Sequence, residues 1–138
     1  MTTENTMTTE DTSPMTGAEF RIIREQLGLT NAWLTDHLKV AERSIVRWGD
    51  GERDVPAFAE DAMYELERTA AKAVQDGVAS FVAKDAVLYL ETYRTDAALQ
   101  AAKPGDPYPA SWHRAIAGRI REQVPGLTIE YADEPGDD

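Results

Sequence analysis

The chain has 138 residues, with 14 Lys and Arg against 25 Asp and Glu, a formal charge of −11, and 42% hydrophobic residues including three Trp, five Tyr and three Phe. That aromatic content is enough for a core and excludes a wholly disordered acidic chain. No apolar run reaches the roughly 20 residues of a membrane span, and the absence of cysteine excludes disulfides, a thiolate nucleophile and a cysteine zinc site.

The charge is unevenly spread. Glu4, Glu10 and Asp11 lie in the polar leader, while Asp133, Glu134, Asp137 and Asp138 lie in the terminal stretch. Neither end carries Lys or Arg, so the body between holds only −4. Screening confines each surface charge to about 8–10 Å, so one face can still be basic. Residues 1–15 are expected as a disordered leader without the basic and apolar regions of a signal peptide, and residues 132–138 as a disordered acidic tail. Met1, Met7 and Met15 each offer a translation start. The composition predicts a soluble, cytoplasmic chain with no membrane partner.

Structure is expected to begin at Thr16. Thr16-Gly-Ala-Glu19 has the capping-box pattern, and Phe20, Ile23 and Leu27 recur at helical spacing until Gly28. Thr30 can cap a second helix with Trp33, Leu34 and Leu38. A third is predicted over about 41–48, with Ile45 and Trp48 inward and Asp50-Gly51 as its stop. Pro56 suits the start of a fourth helix, whose stripe is Ala59, Ala62, Met63, Leu66, Ala70, Ala73 and Val74 and whose expected stop is Gly77.

Beyond Gly77 the pattern changes. A strand is expected over 86–90, pairing with Ser80-Phe-Val82 across Lys84-Asp85. A short helix over 95–102, a Pro- and Gly-rich loop over 103–109, and a helix capped by Ser111 follow. That last helix carries Trp112, Ala115, Ile116 and Ile120 on one face and stops at Pro125-Gly126. Leu127-Thr-Ile-Glu-Tyr131 alternates like a half-buried strand. The prediction is an α+β chain, mostly α: a helical domain over 16–76 and a small β-α-α-β domain over 77–131.

The stretch GLTNAWLTDHLKVAERSIVRWGDGERDVP, residues 28–56, carries the functional signal. A helix-turn-helix needs two short helices locked at a steep angle by apolar residues at fixed offsets. Leu34, Leu38, Val40, Ile45 and Trp48 fill those offsets. The outer face of the second helix then holds Glu42, Arg43, Ser44, Val46 and Arg47, where major-groove contacts are made in such motifs.

On these residues, from about Phe20 to Pro56, the chain resembles the Cro/repressor-type (XRE-like) helix-turn-helix regulators. Three positions depart from that family. Thr35 stands for the small alanine at the helix contact. Lys39 stands for the turn glycine, where a left-handed backbone costs another residue about 1–2 kcal/mol. Gly49 stands for the glutamate that pairs with the arginine at Arg24, leaving Arg24 to pair with Asp50, stay solvated or reach a phosphate. Ala41-Glu-Arg-Ser44, Trp48, Gly51, Val55-Pro56 and the order of the later elements are similar to the anti-CRISPR-associated autorepressors. The resemblance implies a homodimeric repressor that dimerises through its C-terminal half and acts on an inverted repeat in double-stranded DNA, its own promoter included.

The candidate DNA-binding residues are Thr30, Asn31, Lys39, Glu42, Arg43, Ser44, Val46, Arg47 and Arg53. Arg43 and Arg47 are set to read bases. Glu42 can accept from cytosine but repels phosphates. Thr30 and Asn31 begin a helix whose N–H groups can seat a phosphate, and Arg53 is either a phosphate clamp or a solvated charge. Trp33 and Trp112 read as core or interface residues, and packing is the default for Tyr89, Tyr93 and Tyr131. His37 and His113 are isolated, and no P-loop, Gly-x-Ser-x-Gly or His-Glu-x-x-His is present. No enzyme activity, cofactor or metal is therefore expected. Two alternatives remain: an antitoxin with the same DNA-binding half and a basic toxin as partner, or a degenerate helix-turn-helix that binds only proteins. RNA binding has no reading motif behind it.

Overall fold

A computed structural model describes residues 14–82 and 88–132. Most of the expected leader, most of the acidic tail, the Lys84-Asp85 turn and the first residues of the strand predicted over 86–90 fall outside the described residues. Among the described residues there are six helices and two strands: α1 (Gly17–Gln26), α2 (Asn31–Leu38), α3 (Glu42–Asp50), α4 (Ala57–Val82), β1 (Tyr89–Thr92), α5 (Asp96–Ala102), α6 (Ala110–Gln123) and β2 (Thr128–Tyr131). The chain is mostly helical with one small sheet, as its composition and periodicity predict. No described helix is long and apolar enough to cross a membrane.

The chain divides into two compact units, the first ending at Arg68 and the second starting at Thr69. In the first unit, local chemistry sets each boundary. Thr16 Oγ1 accepts from Glu19 N–H at 3.0 Å while Glu19 Oε1 accepts from Thr16 N–H at 2.9 Å, closing the capping box that starts α1. Thr30 Oγ1 accepts from Trp33 N–H at 3.0 Å and starts α2. Gly51, with φ 81°, ends α3.

Phe20, Leu29, Leu34, Ile45 and Met63 are fully buried in this unit. Each such side chain contributes roughly 1.5–3 kcal/mol through apolar burial. Phe20 meets Trp48 edge-on with ring centroids 5.7 Å apart, and Phe58 approaches Trp48 in the same way at 5.9 Å. Met15 is also buried, so the core reaches one residue before the expected start at Thr16. A Cβ on Gly17 would collide with the Trp48 carbonyl oxygen and crowd the Gly51 backbone. Glycine here permits close passage of α1 over the end of α3.

The second unit departs from expectation in three places. Gly77 does not end α4, which continues through Ser80 and Phe81 to Val82. A Cβ there would run into the Ile120 side chain, so this glycine serves the approach of α6 rather than a stop. Consequently the strand expected at Ser80-Phe-Val82 is the last turn of a helix, and β1 pairs instead with β2. Ser111 is not the cap of α6. The helix begins one residue earlier after Pro109, and Asp96 Oδ1 accepts from Ala110 N–H at 2.7 Å across the intervening loop.

The two strands run parallel, with Tyr89 opposite Thr128, Leu90 opposite Ile129, Glu91 opposite Glu130 and Thr92 opposite Tyr131. A parallel pair requires a crossover connection, which α5 and α6 supply. Leu90 and Ile129 pack on the cluster of Val74, Phe81, Ile120, Val124 and Leu127. Tyr93, Leu99 and Ala110 form a second small cluster. Arg114 donates to the Tyr93 and Arg94 carbonyls at 2.7 and 3.0 Å, fixing the chain as it leaves β1.

Candidate nucleic-acid interface

The geometry around α2 and α3 starts with the turn between them. Lys39 caps α2 with φ 60° and ψ 48°, in the left-handed region expected for this turn position. It is the only non-glycine residue with positive φ among those described. The conformation lets Lys39 N–H and Val40 N–H both donate to the Thr35 carbonyl, at 2.9 and 3.2 Å. Those bonds turn the chain sharply enough to start α3 three residues later. Thr35 is accommodated at its crowded position because its hydroxyl donates to the Asn31 carbonyl at 2.8 Å.

α3 is strongly two-sided. Ile45 and Trp48 are buried, whereas Glu42, Arg43 and Val46 are exposed and Ser44 and Arg47 are half-buried. Arg43 and Arg47 stand one turn apart on one face. Arg47 Nε lies 3.9 Å from Glu52 Oε1, a loose and partly exposed ion pair that a phosphate or a base edge can displace at little cost. The Arg47 carbonyl accepts from the N–H groups of Glu52 and Arg53, at 2.9 and 3.3 Å. This bond sets the exposed Arg53 in the turn directly after α3.

The remaining candidates sit at the start of α2. Thr30 is exposed and its side chain is used as the cap. Asn31 lines a cleft of about 160 Å³ shared with Arg21, Arg24, Val46 and Asp50. The cleft therefore joins Asn31 of α2 to Val46 of α3. Lys39 and Arg53 lie outside it, one before α3 and one after.

Arg24 neither pairs with Asp50 nor stays solvated. Its Nη1 donates to the Leu29 carbonyl at 2.8 Å, its Nη2 lies 3.6 Å from Glu25 Oε2, and its side chain is 16% exposed. The guanidinium thereby ties α1 to the loop before α2. Asp50 lies instead 3.9 Å from Arg21 Nη1. Arg21, which reads in sequence as an ordinary surface charge, is thereby placed on the cleft beside Asn31. No pattern signalled it, because its role depends on where α1 crosses α3.

Among the described residues no group of three or more His, Asp or Glu is arranged to hold a metal ion. His37 stacks on Trp33 with centroids 4.6 Å apart, and His113 lies in the second unit against Tyr93 and Thr92. No protein-family model matches the chain, and no curated protein matches it.

Proposed function

We propose that the chain is a sequence-specific DNA-binding transcriptional repressor that acts as a homodimer on an inverted repeat. In this reading the helical part over 16–76 is a helix-turn-helix domain of the Cro/repressor type. The β-α-α-β part over 77–131 is its dimerisation domain. The observation that carries the reading is α3 itself: a nine-residue helix with Ile45 and Trp48 sunk in the core and Arg43, Val46 and Arg47 turned outward, entered through a left-handed turn at Lys39.

Arg43 and Arg47 then read guanine edges in the major groove, where a bidentate arginine contact discriminates by about 1–3 kcal/mol. Val46 offers an apolar contact to a thymine methyl. Thr30, Asn31 and Arg21 border the position of a phosphate at the start of α2, where free N–H groups favour an anion. Lys39 and Arg53 bracket α3 with positive charge. Dimerisation is supported by the small sheet: among the described residues its two four-residue strands pair only with each other, and a two-fold partner would cover an edge.

Selection of bound sequences from a random DNA pool tests the reading. A palindromic consensus is expected, bound by a species that sediments as a dimer at micromolar concentration. Recovery of unselected sequence would oppose specific recognition, and a folded monomer would oppose the dimer.

A further inference from the structure

The second unit contains a cavity of about 260 Å³ between β1, α5 and α6 and the loop that joins those two helices. Ligand sites span roughly 300–1,000 Å³, so this one suits a small molecule. Its volume equals about eight or nine waters at roughly 30 Å³ each. Leu99, Trp112, Ile116 and Ile120 form an apolar floor. Three charged or titratable side chains share the lining with that apolar floor.

Those three are Lys103, Asp106 and His113. Lys103 and Asp106 carry opposite charges three residues apart and line the same cavity, yet no described carboxylate pairs with Lys103. Asp106 uses one carboxylate oxygen to accept from Tyr108 N–H at 2.9 Å, which leaves the other available. The His113 ring is held by Thr92, whose Oγ1 lies 2.9 Å from Nδ1. With the Thr92 hydroxyl donating, the neutral ring carries its proton on Nε2 and can give it to an anion. Burial holds the His113 pKa below its ordinary value, so the neutral form prevails near pH 7.

The wall is built in advance. Gln100 accepts from Gly105 N–H at 3.1 Å and donates to the Asp106 carbonyl at 2.8 Å, and Gly105 takes a φ of 87°. Tyr108 stacks on Trp112 with centroids 4.1 Å apart and planes 7° from parallel. These contacts, with the Tyr108 N–H bond, fix the loop that carries Asp106 before any ligand arrives.

We propose that this cavity binds a small zwitterion with an apolar body, of the size and chemistry of an aromatic α-amino acid. Its carboxylate meets Lys103 and His113 Nε2, its ammonium meets Asp106, and its ring lies on the Leu99, Ile116 and Ile120 floor beside Trp112. The site stands apart from DNA recognition, and its test needs no DNA.

The test titrates the full chain with L-phenylalanine, phenylacetate and phenethylamine while following the indole N–H resonances of Trp112 and Trp48. Trp48 does not line the cavity and serves as the internal control. L-Phenylalanine should shift Trp112 saturably and leave Trp48 in place. Each single-charge probe should bind about tenfold more weakly, the scale of one charge-assisted hydrogen bond. Lys103→Gln should weaken phenylalanine and phenylacetate about tenfold but spare phenethylamine; Asp106→Asn should weaken phenylalanine and phenethylamine and spare phenylacetate. Asparagine retains an oxygen for Tyr108 N–H, so the loop keeps its shape. The proposal is overturned by the absence of a saturable Trp112 shift, by phenylacetate binding as tightly as phenylalanine, or by either substitution leaving phenylalanine affinity unchanged.

Discussion

Up to Arg68, core residues recur on helices joined by turns of three to six residues, and each helix start or stop is set by a cap, a glycine or a left-handed turn close by. From Thr69 onward, burial depends on groups far apart in sequence: Asp96 caps α6 across the loop at Ala110, Arg114 ties down Tyr93 and Arg94, and Thr92 bonds His113. The first unit exposes Arg43 and Arg53 around α3, whereas the second exposes Tyr89 and Tyr131 on its strands. A locally determined core leaves its outer helix face free to vary with function. A core stitched by long-range bonds has fewer positions that can change without loss of structure.

Core truncations should show the largest effect. Leu34 is wholly buried in the first unit and Leu99 nearly so in the second. Replacing either with Ala should cost about 2–5 kcal/mol by chemical denaturation. Loss of Leu34 should blunt the Trp48 signal, and loss of Leu99 the Trp112 signal. If both probes respond alike to both variants, the two units do not melt as separate bodies.

The glycines give a finer contrast. Gly17→Ala sets a Cβ against backbone, which cannot yield, and should destabilise by about 1–3 kcal/mol. Gly77→Ala sets one against the end of the Ile120 side chain, which can rotate away. The gain of up to about 1 kcal/mol in helix propensity offsets that crowding, so the net change should stay near zero. Thermal melts of the two variants would reveal a wrong account of either contact by reversing their order.

These glycines also mark what could be read ahead of the structure. Thr16 and Thr30 are legible as caps because a cap is a local hydrogen bond within three residues. Gly77 is not, since a glycine that stops a helix and one that admits a neighbour look alike in one dimension. Ser80-Phe-Val82 has strand composition, but the helical hydrogen bonds of α4 override it. The candidate residues on α3 follow from periodicity alone. Arg24 and Arg21 do not, because their partners depend on how α1 packs against α3 and on the loop before α2.

Lys39→Gly should stabilise the first unit modestly. It removes a strain of about 1–2 kcal/mol, partly offset by about 0.4–1 kcal/mol of added freedom in the unfolded chain. A lower melting temperature for this variant would mean that the Lys39 side chain contributes a contact that outweighs its backbone cost.

The smallest effect concerns pH. His113 has its folded pKa lowered, first by burial and then by Lys103, with Asp106 acting against them. The unfolded chain, with its histidine near about 6.5, therefore takes up a proton that the folded chain resists. Stability from this group is complete above that value and declines as pH falls below it. Melts from about pH 7.5 to about pH 5.5 should show a drop in the wild type, and His113→Gln should flatten it. An unchanged slope in that variant would assign the drop to other groups.

The central claim is that the outward face of α3 reads DNA, and the most direct measurement is binding of Arg43→Ala and Arg47→Ala to the selected site and to scrambled duplex across a salt series. The account predicts that each weakens the selected site by about 1–3 kcal/mol and relaxes preference at one base pair per half-site. Arg53→Ala, measured alongside, should weaken both duplexes alike and lower the slope of log affinity against log salt by about one. Unchanged affinity for both duplexes in Arg43→Ala and Arg47→Ala, with the melting temperature preserved, would contradict the assignment of this face.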